Sequence, residues 1–447
     1  MVVCTCLPSA AAAAPAADAG GLFTLAAGGD LIGPYTAGRT PHDPQLQRVA
    51  TLFRHADLGY ANQEGSLFDL ATFTGYPAAE NGGGYPLAPQ AVAFELKALG
   101  ISIVSKANNH ATDWGVAGLL ATLRSLSAAA IVQAGAGTSE ATARAPAYVD
   151  TAAGRIALIS TASTFPPMSV AGPAVTRRGQ TSRPRPGISV LHLRAVHDVQ
   201  PGQLQALEHI AGDAAIPADA GAEVRIDDQF FRVGSDPGTQ WEADPTDEAA
   251  ILAAIRAARQ HARYVIFAIH AHQTAGDEDN LPAQDFEPMI LHRANEAASP
   301  DDPRPAPFEV ALFHAAIDAG ADLVIRTGPH TLNGIEIYHG RPIFYSLGSL
   351  FFDFGGRHSY TTTNGEPMRF PDEWFETMVA VTRFRDGRLL DIRLYPLSIQ
   401  SAAGPTGGAP HPADPHTARR ILERVRAESA VFGTNVQIRH GVGVVQG

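Results

Sequence analysis

Carboxylate, amide and imidazole side chains follow directly on apolar runs at five places in this 447-residue chain. Residues 23–27 run into Gly28, Gly29 and Asp30, residues 57–61 into Asn62, Gln63 and Glu64, and residues 101–105 into Asn108, Asn109 and His110. Residues 264–269 end in His270, Ala271 and His272, and residues 323–325 lead to Gly328, Pro329 and His330. In an open α/β sheet, ligands gather outside the carboxyl ends of the strands, so the pattern predicts that all five clusters share one rim. Oxygen and imidazole donors together suit Mn, Fe, Co or Zn, and an oxygen-heavy subset suits Ca or Mg. Thiolate takes no part, because Cys4 and Cys6 are the only cysteines and lie at the N-terminus, outside any periodic segment.

Each of these residues alone also has an ordinary structural role. An Asp after a strand is a common helix cap or turn residue. His270 and His272, two apart on a strand, share a face and either reach one ion or form a buried hydrogen-bonded pair. Asp113 lies close enough in sequence to orient the His110 ring, and equally well placed to cap a helix near Val116. Two adjacent amides, Asn108 and Asn109, are an odd choice for packing and favour a functional turn.

The elements that must carry these residues alternate between strand-like and helix-like, as in a layered α/β protein. Helical spacing marks residues 116–126, 248–262 and 308–319, the last with Gly320 as a stop, and residues 378–384 and 389–397 read as a hairpin turned by Asp386-Gly387. Residues 165–244, rich in Arg, Pro and Gly, and residues 276–307, acidic and Pro-rich, look inserted. The predicted organisation is a leader over 1–21, one catalytic unit over 22–400, and a linker with a terminal helix over 401–447.

Composition narrows the partners. Lys and Arg number 33 against 45 Asp and Glu, a formal net charge of −12, which repels polyanions overall and argues against nucleic acid. From Leu22 onward no apolar run reaches the roughly 18 residues of a membrane span, so a soluble body is expected. The Ala-rich residues 9–20 look like the cleavage region of a secretory signal, but no Lys or Arg precedes Arg39. The body is therefore cytoplasmic, or exported if a true signal lies upstream. Against the acidic background Arg177, Arg178, Arg183 and Arg185 form a basic patch, in which Arg183 and Arg185 are candidates for holding substrate carboxylates. No Gly-x-Ser-x-Gly elbow and no P-loop is present, which leaves serine-hydrolase and nucleotide-triphosphatase chemistry without support.

Longer stretches carry a resemblance. Gly29-Asp30-Leu31-Ile32-Gly33, Asn62-Gln63-Glu64-Gly65, the run from Val104 through Asn108-Asn109-His110 to Asp113-Trp114-Gly115, and the run from Gly328-Pro329-His330 to Gly348 resemble, in order and spacing, the CapA-like proteins. These are named for poly-γ-glutamate capsule synthesis and belong to the calcineurin-like metallophosphatase superfamily. The resemblance implies a four-layer αββα sandwich with two sheets inside and helices outside. It implies Asp30 and His330 on one divalent ion, Asn109 with His270 or His272 on a second, Glu64 between them, and His110 as the acid/base group. Three departures stand out: Asp30-Leu31-Ile32 replaces Asp-x-His, Arg326 stands where close relatives carry a His before Gly-Pro-His, and Ser349 replaces the usual Asn. They make a single ion, calcium included, an alternative to two, with Arg326 binding an anion in place of the second.

The reaction implied is hydrolysis or processing of a peptide or poly-γ-glutamate-type substrate. Some members encoded near lasso-peptide genes instead convert a peptide residue from L to D, for which His110 with Asp113 and His330 with Asp30 would be the two acid/base pairs. A third alternative is a non-catalytic part in capsule polymer synthesis or export.

Overall fold

The computed structural model describes residues 21–78, 86–227, 229–235, 238–274, 304–353, 359–361, 367–399 and 407–447. The anticipated leader and most of the 276–307 insertion lie outside the described residues, as does the first part of the 401–415 linker.

Two sheets dominate. A ten-stranded sheet has at its centre β1 (Leu22–Ile32), β2 (Leu58–Asn62) and β3 (Ile103–Ser105) in parallel, and on the other flank of β1 the antiparallel β7 (Glu376–Arg385) and β8 (Arg388–Ile399). A six-stranded sheet has β4 (Gly154–Ala162), β5 (Tyr264–His270) and β6 (Leu323–Thr327) in parallel. The β7–β8 hairpin turns at Asp386-Gly387, both at positive φ of 51° and 74°, the geometry that an Asp-Gly pair tolerates and that matches the twist of the flanking strands.

Both faces of the parallel strands are buried along most of their length, and period two decides which residue meets which layer. Phe23, Leu25 and Ala27 of β1 join Ile266 and Ala268 of β5 and Leu323 and Ile325 of β6 in a cluster between the two sheets. The intervening Val265, Phe267 and Val324 pack outward against α4 (Pro245–Arg259) and α5 (Pro307–Asp318). On the opposite side Ala26 and Ala61 pack against α1 (Pro44–Arg54) and α2 (Ala91–Leu99). The fold is thus mixed α/β, with helices on the outer faces of two sheets.

Helix starts follow one local device. Asp43, Asp244 and Asp414 cap α1, α4 and α6 (Pro415–Val431), each accepting two backbone N–H groups and each followed by Pro at the first helical position. The 165–244 stretch is not shapeless. It contains an exposed two-stranded hairpin, Thr176–Arg177 with Gln180–Thr181, and a five-stranded sheet ending at α4. The C-terminal part adds more than a helix, because Gln437–Arg439 and Val442–Gln446 extend the ten-stranded sheet beyond β8.

Candidate metal centre

The five clusters predicted to converge do meet, at the carboxyl ends of β1, β2, β3, β5 and β6. A register shift in β1 between Ala27 and Asp30 sets Asp30 opposite Asn62 of β2. Gly29 makes the close approach possible: a Cβ there would lie 1.6 Å from the Gly348 carbonyl oxygen, which accepts from Asp30 N at 3.2 Å.

Asp30 is the hub. Its Oδ1 accepts from Asn62 Nδ2 at 2.7 Å and lies 3.9 Å from His270 Nδ1, while Oδ2 lies 3.1 Å from His330 Nδ1 and accepts from Gly328 N at 3.3 Å. His330 holds a positive φ of 56°, a conformation that costs a non-glycine residue energy and is retained at sites where the surroundings over-determine it. Ser349 Oγ reaches the same His330 Nδ1 at 3.2 Å, so the residue standing where Asn is usual still contacts the site.

One ligand atom each from Asp30, Glu64 and His330, all buried, lies within 4.8 Å of the others. Two hard oxygens and one imidazole nitrogen at that spacing, withdrawn from water, fit a divalent cation. Glu64 Oε1 is 3.9 Å from His330 Nε2 and 3.8 Å from His110 Nε2, so its carboxylate stands between two imidazoles. On the far side of His110, Nδ1 is 2.7 Å from Asp113 Oδ2, the orienting arrangement, whereas α3 (Gly115–Ala128) receives no side-chain cap from its preceding residue. Asn109 is buried beside His110 on the same turn.

His270 and His272 face each other, Nε2 to Nε2 at 3.0 Å. His270 Nδ1 is also 3.1 Å from Thr327 Oγ1 and 3.3 Å from Asn62 Nδ2. Burial, with His272, His330, His110 and Lys106 nearby, holds the His270 imidazole well below its ordinary pKa and therefore neutral, the form that ligates metal. Neither of these histidines belongs to the Asp30–Glu64–His330 group.

Arg326 is a correction. It was expected to bind an anion at the site, but it is fully buried and points the other way. Odd-numbered residues of β6 face the space between the sheets and even-numbered ones face α5, so the side chain beside His270 is Thr327, the residue immediately before Gly-Pro-His. Arg326 Nε lies 2.7 Å from Glu309 Oε1 and donates to Ala271 O at 3.2 Å, and the guanidinium also donates to the carbonyls of Tyr345 and Gln273.

Thr327 and Lys106 were not singled out from sequence, and Asn62 was named there only as a member of the second polar cluster. Asn62 lies inside a quoted motif and joins three strands, its Oδ1 accepting from Ser105 Oγ at 2.8 Å. Lys106, completely buried, donates through Nζ to the carbonyls of Glu64 and Gly65 at 2.9 and 3.1 Å. Burial pushes its ammonium down to about 7, against the pull of Asp113 and Glu64. A lysine directly after an apolar strand was the available signal. Arg183 and Arg185, with Arg177 and Arg178, are exposed on the 176–185 arm and meet no carboxylate among the described residues.

The family described as bacterial capsule synthesis protein PGA_cap matches residues 24–298 and 289–354. An uncharacterized protein of Sinorhizobium fredii, y4sH, is 34% identical over 95% of this chain and 93% of its own length. Shorter stretches match the PGA biosynthesis protein CapA of Bacillus subtilis, 52% identical over 10% of this chain and 12% of that one, and a probable polyglutamine synthesis accessory protein of Mycobacterium tuberculosis, 33% identical over 21% and 23%. Among the described residues no helix is long and apolar enough to cross a membrane. With the matched residues spanning Asp30, Glu64, His110, His270 and His330, the chain belongs to the PGA_cap family of CapA-like capsule synthesis proteins.

Proposed function

We propose that this protein is a divalent-metal-dependent enzyme that hydrolyses or processes a carboxylate-bearing peptide or poly-γ-glutamate-type substrate, on a four-layer αββα scaffold. The observation that carries the proposal is the buried Asp30–Glu64–His330 group with the His110–Asp113 pair beside it. The apolar clusters on both faces of each sheet support the sandwich architecture.

Asp30, Glu64 and His330 would hold the ion, with His270, His272 and Asn109 within the same pocket wall as further donors. A divalent ion there supplies Lewis-acid polarisation of a substrate carbonyl and of the attacking water. Asp113, accepting from Nδ1–H, holds His110 in the tautomer that leaves Nε2 to carry the exchanged proton. The four arginines of the 176–185 arm would hold substrate carboxylates. What supports this is that the arm belongs to the segment leaving β4, which starts beside the site with Ser163 N donating to His270 O at 3.0 Å.

A second reading rests on two His–carboxylate pairs, His110–Asp113 and His330–Asp30, whose Nε2 atoms lie 3.8 and 3.9 Å from Glu64 Oε1; they would be the two acid/base groups that proton removal from one face of an α-carbon and return to the other needs.

The test is incubation of the Mn- or Zn-loaded protein with α- and γ-linked glutamyl oligomers in D2O. Hydrolysis releases new amines without deuterium at the α-carbon, and epimerisation gives deuterium and D-residues at unchanged length. Either activity should vanish in His110→Ala at unchanged metal content. If neither product forms, the non-catalytic role stands instead, and if His110→Ala matches the wild type, His110 is not the group that moves the proton.

A further inference from the structure

A second feature lies apart from the candidate site and shares no residue with it. A groove of about 930 Å³ runs between α1, α6, β8 and the terminal hairpin. Its floor is apolar, formed by Val49, Leu52, Leu397, Leu422, Ile438 and Val442. Its rim carries Arg48 from α1 and Arg419 and Arg426 from α6. The volume is that of a site for a small organic ligand.

The charges around the groove do not balance. Arg419 lies 3.9 Å from Glu423 and Arg426 pairs with the same carboxylate, so two guanidinium groups share one anion. Arg48 donates to Gln45 Oε1 at 3.3 Å and meets no carboxylate among the described residues. Three cations against one anion, in a chain whose net charge is −12, make this a local positive site. A small inorganic anion would satisfy the arginines and leave the apolar floor in water. A neutral apolar molecule would cover the floor and leave the arginines unused.

We propose that this groove binds a single-chain anionic amphiphile, its apolar chain lying along the floor and its carboxylate or phosphate head at the arginine rim. Head and chain each contribute, the first through charge-assisted hydrogen bonds and the second through burial of apolar area.

The test is calorimetric titration of the full chain with monomeric dodecyl phosphate and, separately, dodecanoate. Saturable binding of one molecule per chain is expected, with inorganic phosphate at least about 100-fold weaker and dodecyltrimethylammonium not bound. Arg48→Glu with Arg419→Glu, both at exposed positions, should weaken binding at least about 10-fold, and Glu423→Gln, which frees two arginines from their shared carboxylate, should tighten it. The comparison of the two heads distinguishes a phosphate from a carboxylate ligand. Asp30→Ala should bind normally, which separates this site from the metal centre. Equal affinity for the cationic amphiphile, many molecules bound per chain, or indifference to the Arg48 and Arg419 changes would overturn the proposal.

Discussion

Arg326 and Glu309 form an ion pair with no exposure to solvent on either side chain. Replacing Arg326 by Met takes the guanidinium away from the buried Glu309 carboxylate and removes the donors to Ala271 O, Tyr345 O and Gln273 O. Breaking one half of a buried pair costs about 3–5 kcal/mol. At roughly 2 °C per kcal/mol for a chain of this size, the melting temperature should fall by about 6–10 °C. The informative comparison is the double variant Arg326→Met with Glu309→Leu. It removes the buried carboxylate as well, but it also removes the bond from Ala306 N to Glu309 Oε2 at 2.9 Å, an N-terminal tie of α5 that is worth about 1 kcal/mol. The double variant should therefore melt above Arg326→Met although it lacks one more polar group. Thermal unfolding of the wild type, both single variants and the double variant gives the coupling directly. If the two single effects simply add, or if Arg326→Met melts within about 2 °C of the wild type, the argument from a broken buried pair is wrong.

Two further outcomes follow from the same coordinates. Lys106→Met keeps the side-chain volume but takes the buried donor away from the carbonyls of Glu64 and Gly65, so the melting temperature should fall; the loop bearing Glu64 loses its two ties, and affinity for Mn should fall about 10–100-fold by competition titration, with unchanged affinity counting against the role of Lys106. His192 is hydrogen-bonded to Asp247 at 2.6 Å, which raises its pKa above the ordinary 6.5. Because the folded value exceeds the unfolded one, the stabilisation is complete below the unfolded pKa and fades as pH rises through the raised value. His192 is partly exposed and screened, so the effect is below about 1 kcal/mol. The melting-temperature gap between wild type and His192→Gln should shrink as pH rises above 6.5, and a gap that widens would show that the pair does not behave this way.

Much of the local structure was legible. Residues 116–126, 248–262 and 308–319 fall on helices because apolar periodicity is set within a few turns, whereas the Asp-Pro pairs that start α1, α4 and α6 were not singled out. Gly320, at φ 115°, ends α5 as its position suggested, and Asp386-Gly387 turns the hairpin. Less visible was the 193–243 sheet, because its strand Leu193–Val199 pairs with residues about 34 to 50 positions away and the other strands are short and partly exposed with weak alternation.

The sequence alone determined which side chains could do chemistry, since placing Asp30, Glu64, His110, His270 and His330 just beyond strands needs only local pattern and the rule that sheet ligands gather at carboxyl ends. Tertiary structure decided which of them meet. The alternation of β6 sends Thr327 toward His270 and buries Arg326 against Glu309, and the face each takes depends on which side of that strand the second sheet covers. The groove between α1 and α6 is likewise written nowhere locally, because its walls lie more than 350 residues apart and come together only when β8 and the terminal hairpin complete the ten-stranded sheet.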